Sequence, residues 1–306
     1  MEPFSLKVSD EITITGLKYI PTQTNGKAVP LVICLPGGTY AADYFEDMVL
    51  ISRELGIPTI ALNREGYKDS TPIPPLSPGK TSMQEQAKHL NKTILPAFWS
   101  EYGKASGATS IVLYGHSIGA MISIMVAALH ARDAGTYPLA GIISSAISSS
   151  WHSDFTSGKV PLPPGPDLTQ SHHTWPTELK DAMMLMPQAG YSDPNRLTSG
   201  QSERMNNPVP IAEHIDAASP PGESVWTGYW KGYAKGVRCP VWFVIADHDI
   251  WSAEDKAVEE FRGAFEQASE VKGEVVRDAP HCVELSFRGP GAMRKGLDRA
   301  VEWVGR

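Results

Sequence analysis

Residues 111–121 read IVLYGHSIGAM. A short, mostly apolar run leads into Gly115-His116-Ser117-Ile118-Gly119, and the chain turns apolar again at once. Few folds accept such a stretch, because a buried strand must end, turn sharply and become a buried helix with one hydroxyl at the corner. A serine there takes strained backbone angles, and glycines two residues to either side let the neighbouring chain pass closely. The helix that follows aims its first amides at the corner, so the Ile118 N–H is placed to stabilise an oxyanion.

Apolar runs alternate with helical spacing for most of the remaining length. Strands are predicted at 11–20, 29–35 (VPLVICL), 58–62, 109–114, 139–147, 241–246 and 274–277. Helices are predicted at 44–55, from 82 towards 99, and at 118–131, 252–268 and 291–304. Continuous apolar strands separated by helices imply an α/β fold with a mostly parallel sheet covered on both faces. The alternation of 11–20 suits an antiparallel edge hairpin. Ser82 and Glu85, three residues apart, read as a capping box that opens the second helix.

Residues 151–236 break this rhythm. They hold VPLPPGPD, His172-His173, a methionine-rich stretch at 181–186 and an aromatic cluster at Trp226, Tyr229, Trp230 and Tyr233. A stretch of this length without strand periodicity predicts a functional insertion, and its aromatic and methionine content speaks against disorder. The expectation is a core built from residues 1–150 and 237–306. Residues 151–236 form a helical cap inserted between core strands six and seven, with its aromatics shaping the substrate site.

A hydroxyl is a poor nucleophile until a base takes its proton, and that base needs an orienting acid. Residues 241–250 (VWFVIADHDI) and 278–285 (DAPHCVEL) supply Asp247, Asp249 and His281. All three follow strands, on the side where open α/β sheets bind ligands, and the order serine, acid, histidine is that of a serine at a strand-to-helix corner. Asp247 and Asp249 are two apart, so strand periodicity cannot choose between them.

With these motifs the chain resembles the α/β-hydrolase superfamily from residue 29 to 304. Pro36-Gly37-Gly38-Thr39-Tyr40 corresponds to the family's oxyanion loop. Residues 63–70 (NREGYKDS) are similar to its D-x-x-G-x-G-x-S loop, and 246–249 (ADHD) resemble its G-x-x-D acid turn. Pro36, Asn63, Lys68 and Ala246 depart from the family's histidine, aspartate, glycine and glycine. The resemblance implies a serine hydrolase in which Ser117 attacks, His281 moves the proton and Asp249, three residues past the turn-glycine position, holds the imidazole. Backbone amides of Ile118 and of Gly38 or Thr39 would bind the oxyanion. The implied substrate is an ester, lactone or thioester of medium size and largely apolar character, with no cofactor and no metal ion. A cofactor-free lyase or C–C bond hydrolase with the same triad stays open, as does a ligand-binding member of the fold without turnover.

Charge narrows the partners. A net charge of −7 without a basic run argues against nucleic acid. The longest apolar stretch, 111–129, is interrupted by Gly115, His116, Ser117 and Gly119, so no membrane span is expected. The first residues lack a basic segment followed by an apolar one, and Cys34, Cys239 and Cys282 show no CxxC spacing. A cytoplasmic protein with reduced thiols acting on a small molecule is expected, its oligomeric state left open. His172-His173 find no third metal ligand at a sensible spacing, and Asp154 is a minor alternative to the acid.

Overall fold

Strands β1 (Glu2–Lys7) and β2 (Thr13–Tyr19) pair as the antiparallel hairpin expected near the start of the chain, with β1 at the sheet edge. They open an eight-stranded sheet with β3 (Pro30–Leu35), β4 (Thr59–Leu62), β5 (Ser110–His116), β6 (Leu139–Ser145), β9 (Val241–His248) and β10 (Val271–Pro280). The order across it is β1-β2-β4-β3-β5-β6-β9-β10. Every neighbouring pair from β4 to β10 is parallel, and β2 runs antiparallel to β4. The computed structural model describes residues 2–22, 28–148, 167–197, 201–213, 229–252 and 254–305.

The period-two alternation of the strands divides the core. Leu31, Ile33, Leu35, Ile111, Leu113, Phe243 and Ile245 face one apolar cluster, shared with α2 (Ser82–His89) and α3 (Ile118–Asp133). Val32, Cys34, Val112, Tyr114, Val244 and Ala246 face a second, shared with α1 (Glu46–Leu55) and α7 (Gly289–Val304). Because both faces are covered, β3 and β5 are buried at every position, which explains their unbroken apolar runs. β4 lies on one side of β3 and β5 on the other, so the strand order reverses beside β3. Open α/β sheets bind ligands at such a reversal, beyond the carboxyl ends of the strands.

One expected detail shifts by a residue. Thr81, not Ser82, caps α2: its hydroxyl accepts from the Gln84 N–H, and the Gln84 side chain accepts in return from the Thr81 N–H. Ser82 has helical geometry and is fully buried. The helix continues beyond α2 through wider turns to Gly103.

Between β6 and β9 the described residues hold α4 (Thr177–Met184), α5 (Tyr229–Ala234) and a two-stranded ladder of β7 (His172–His173) with β8 (Val209–Pro210). Of the expected aromatic cluster, the side chains of Trp230 and Tyr233 are described, and both pack into the first apolar cluster. Trp230 is fully buried and stacks on Phe261 of α6 (Glu254–Ala264), with ring centroids 5.1 Å apart. It belongs to the core because its neighbours on both α3 and α6 are apolar. Trp226 and Asp154 lie outside the described residues.

Candidate active site

Ser117 stands between the end of β5 and the first turn of α3 with φ 51° and ψ −122°, a left-handed conformation that costs a non-glycine residue free energy. Its flanking glycines are required sterically. A Cβ on Gly119 would lie 2.0 Å from the Leu35 carbonyl oxygen, and one on Gly115 would lie 2.5 Å from the Gly119 carbonyl oxygen. The Ser117 N–H is held by the Ser145 carbonyl at 2.9 Å, tying the corner to the end of β6. As the first residue of α3, Ile118 has an N–H without an intrahelical acceptor.

Residues distant in sequence meet at this corner. The Ser117 hydroxyl is 3.1 Å from His281 Nε2, and His281 Nδ1 is 2.9 Å from Asp249 Oδ2. All three side chains are buried. His281 directly follows β10, and Asp249 directly follows β9. Asp249 also accepts the Trp251 N–H at 2.8 Å, and the Trp251 ring lies edge-on to the imidazole, 6.5 Å between centroids. Asp247 is elsewhere: its carboxylate accepts the N–H groups of Asp278 and Ala279, in the turn that delivers His281.

The loop after β3 lies against the corner. A Cβ on Gly37 would sit 2.9 Å from Ser117 Cβ, and one on Gly38 would sit 3.1 Å from the Ile118 side chain. Thr39 has φ 67°, and its carbonyl accepts from both the Asn207 N–H and Nδ2, at 2.8 and 3.0 Å. Burial and Glu213 push the Tyr67 phenol well above its ordinary pKa, with the Arg64 guanidinium pulling the other way. The departures from the family loop have visible replacements: Lys68 adopts the left-handed conformation of the missing glycine, and Asn63 Oδ1 accepts the Ala42 N–H.

Sequence reasoning missed two buried charges beside the site. Glu284, three residues after His281, accepts from the Tyr44 hydroxyl at 2.7 Å and the Tyr114 hydroxyl at 3.1 Å, and lies 3.2 Å from His116 Nδ1. Burial lowers the His116 pKa, while Glu284 pulls it the other way. Burial works against the carboxylate's charge too, but the facing imidazole and the Tyr44 hydroxyl outweigh it and hold Glu284 at about 2. The second is Glu213, which pairs with Arg64 beneath the Gly37-Gly38 loop. An acid inside the apolar run CVEL was the one available sign of Glu284; Glu213 had none.

Among the described residues, Asp247, His248 and Asp278 bring their ligand atoms within 4.8 Å of one another. Arg277 and Arg288 reach two of these carboxylates, and two backbone N–H groups already occupy Asp247, which disfavours a cation. His172 and His173 lie in the β7–β8 ladder instead, where His172 Nε2 meets the Gly66 carbonyl. The three cysteines are free, and burial raises each thiol pKa, Cys239 to about 12.

A strained serine, a histidine and a carboxylate in hydrogen-bonded sequence at the reversal point of a mostly parallel sheet are the features of an α/β hydrolase. The chain belongs to the alpha/beta hydrolase family, whose model matches residues 32–289. Similar solved structures include DcsB in complex with its substrate analogue, at 19% identity and TM-score 0.62, with 99% of this chain and 98% of that chain covered. A monoacylglycerol lipase of Paleococcus ferrophilus follows at 14% and 0.59, covering 99% and 100%. An M. tuberculosis esterase aligns at 16% and 0.57, covering 98% and 92%. At such identities the likeness is one of fold. No curated protein matches the chain significantly in sequence. Among the described residues no helix is long and apolar enough to cross a membrane.

Proposed function

We propose that the protein is a serine hydrolase that cleaves an ester, lactone or thioester through an acyl-enzyme, with Ser117, His281 and Asp249 as its catalytic triad. The observation that carries this reading is the unbroken line from the Ser117 hydroxyl through both imidazole nitrogens to the Asp249 carboxylate. In the first half-reaction Ser117 Oγ bonds to the substrate carbonyl carbon while its proton passes to His281 Nε2. The tetrahedral oxyanion is met by the N–H groups of Ile118 and of Gly38 or Thr39. Collapse breaks the bond to the leaving group, which takes the proton from His281. Water then enters by the same route in reverse order: His281 takes its proton, the hydroxide oxygen bonds to the acyl carbon, and the proton returns to Ser117 Oγ as the acid departs.

Asp249 holds the imidazole in the tautomer with Nδ1 protonated, and burial keeps that hydrogen bond from exchanging with water. The methionine and aromatic content of residues 151–236 favours a medium-sized, largely apolar substrate. Residues 151–236 are proposed as the cap that sets its size, over a core of residues 1–150 and 237–306. Esterase and lipase neighbours of the same fold agree with an ester as the test substrate. The experiment is turnover of p-nitrophenyl esters by the parent and by Ser117→Ala, with a fluorophosphonate as the covalent probe. The variant is expected to melt like the parent, to take no label, and to lose at least about a thousandfold in turnover. Near-parental turnover in Ser117→Ala ends this reading.

A further inference from the structure

Arg64 directs all five of its N–H donors at buried acceptors. Nε donates to the Pro36 carbonyl at 2.7 Å and Nη2 to the Gly37 carbonyl at 3.0 Å. Nη1 and Nη2 grip the two Glu213 oxygens at 2.6 and 2.9 Å, and Nη1 also reaches Gln86 Oε1 at 3.0 Å. Glu213 is fully buried and accepts further hydrogen bonds from the Tyr67 hydroxyl at 2.5 Å and Gln86 Nε2 at 3.1 Å. The Tyr67 ring packs under the guanidinium, 4.7 Å from its centre. Every polar atom of the pair is satisfied.

A buried ion pair contributes little net stability compared with a well-packed apolar pair of the same volume. Its value here lies in what it holds. The Gly37 carbonyl and the Gly38 N–H belong to one planar peptide, and no peptide bond among the described residues is cis, so the two point in opposite directions. Drawing the carbonyl onto Arg64 turns the Gly38 N–H away from the guanidinium. Hydrogen bonding to a cation also polarises the peptide and makes that N–H a stronger donor. The Pro36 carbonyl, on the preceding peptide, is held by the same side chain, so the loop cannot pivot about Gly37 without breaking both contacts.

We propose that Arg64 and Glu213 are positioning residues that orient the Gly38 N–H for oxyanion stabilisation. Glu213 belongs to the segment between β6 and β9, so that segment acts on the chemical step as well as on substrate choice. The inference rests on the serine-hydrolase reading above.

Fluorophosphonate inactivation tests it directly, because the phosphonyl oxygen takes the oxyanion's place on the serine adduct. Glu213→Gln removes the charge that fixes Arg64. The double variant Arg64→Gln/Glu213→Gln replaces the ion pair with two neutral amides and leaves no unpaired buried charge. In the double variant, kcat for a p-nitrophenyl ester and the inactivation rate constant are both expected to fall about 10²-fold, the effect of losing one oxyanion donor. KM should change less than about threefold, because the interaction is made in the transition state. The acid limb of the pH–rate profile should not move. Folded variants with parental kcat and inactivation rate overturn the proposal. A structure of the phosphonylated parent decides it even where no variant folds: a phosphonyl oxygen bonded to the Gly38 N–H supports the assignment, and one bonded elsewhere overturns it. A parent protein that takes no label at Ser117 overturns the serine-hydrolase reading instead, and this inference with it.

Discussion

Asp247 and Asp249 leave the same strand two residues apart, yet their carboxylates do different work. Asp249 meets the imidazole of His281, whereas Asp247 caps the turn that carries it. Asp249→Asn should keep the fold and leave His281 with an amide that favours the wrong tautomer. Turnover is then expected to fall on the order of 10⁴-fold, as in the chymotrypsin precedent. Asp247→Asn weakens two backbone hydrogen bonds, worth about 1 kcal/mol each, and should appear as a lower melting temperature with a much smaller loss of kcat. Parallel kinetics and thermal melts of the two variants check the division. Equal losses of kcat in both would show that the turn and the triad cannot be separated in this way.

Two helices carry the lessons of local against tertiary signals. The pattern Thr-Ser-x-Gln-Glu offers capping boxes in two registers, Thr81 with Gln84 and Ser82 with Glu85, and spacing alone does not distinguish them. The structure uses the first, because Ser82 is drawn into the core as the helix begins. Thr81→Ala should therefore lower stability by about 1 kcal/mol, read from denaturant titration, while leaving ester turnover unchanged. In α5 the aromatic pattern suggested a substrate contact, but Trp230 packs against Phe261 and Phe265. Trp230→Ala should destabilise the fold by about 3–5 kcal/mol. If it shifted substrate preference among acyl chains without lowering the melting temperature, its burial between α3 and α6 would not be its role.

Across the protein, charged side chains are sealed around Ser117 and His281, among them Glu284 beside His116. Glu284 is ionised in the fold with a pKa of about 2, below the about 4.3 of an unfolded glutamate. A carboxylate depressed in this way stabilises the fold above its unfolded pKa, and that stabilisation is lost as pH falls towards the folded value. The difference in unfolding free energy between the parent and Glu284→Gln should thus be constant above about pH 5 and shrink between about 4.3 and 2. Denaturant titrations at a series of pH values measure it. A difference that grew on acidification would place the charge elsewhere.

Much of this architecture is local and was legible in residues read one after another. Unbroken apolar strands announced a sheet covered on both faces, because a strand buried on two sides admits no polar alternation. The glycines around Ser117 announced a corner that admits no Cβ on either side of it. The alternation of residues 11–20 likewise marked the hairpin at the sheet edge. What remained hidden depends on partners far apart in the chain. Arg64 and Glu213 are 149 residues apart, and either alone reads as a solvated charge. Trp230 could face a cavity or a core with the same composition around it, and Glu284 meets Tyr44, Tyr114 and His116 only once the chain after β10 lies against β5. Such groups acquire their meaning through desolvation, which exists only once the surrounding elements have closed and taken away the water that would otherwise satisfy them.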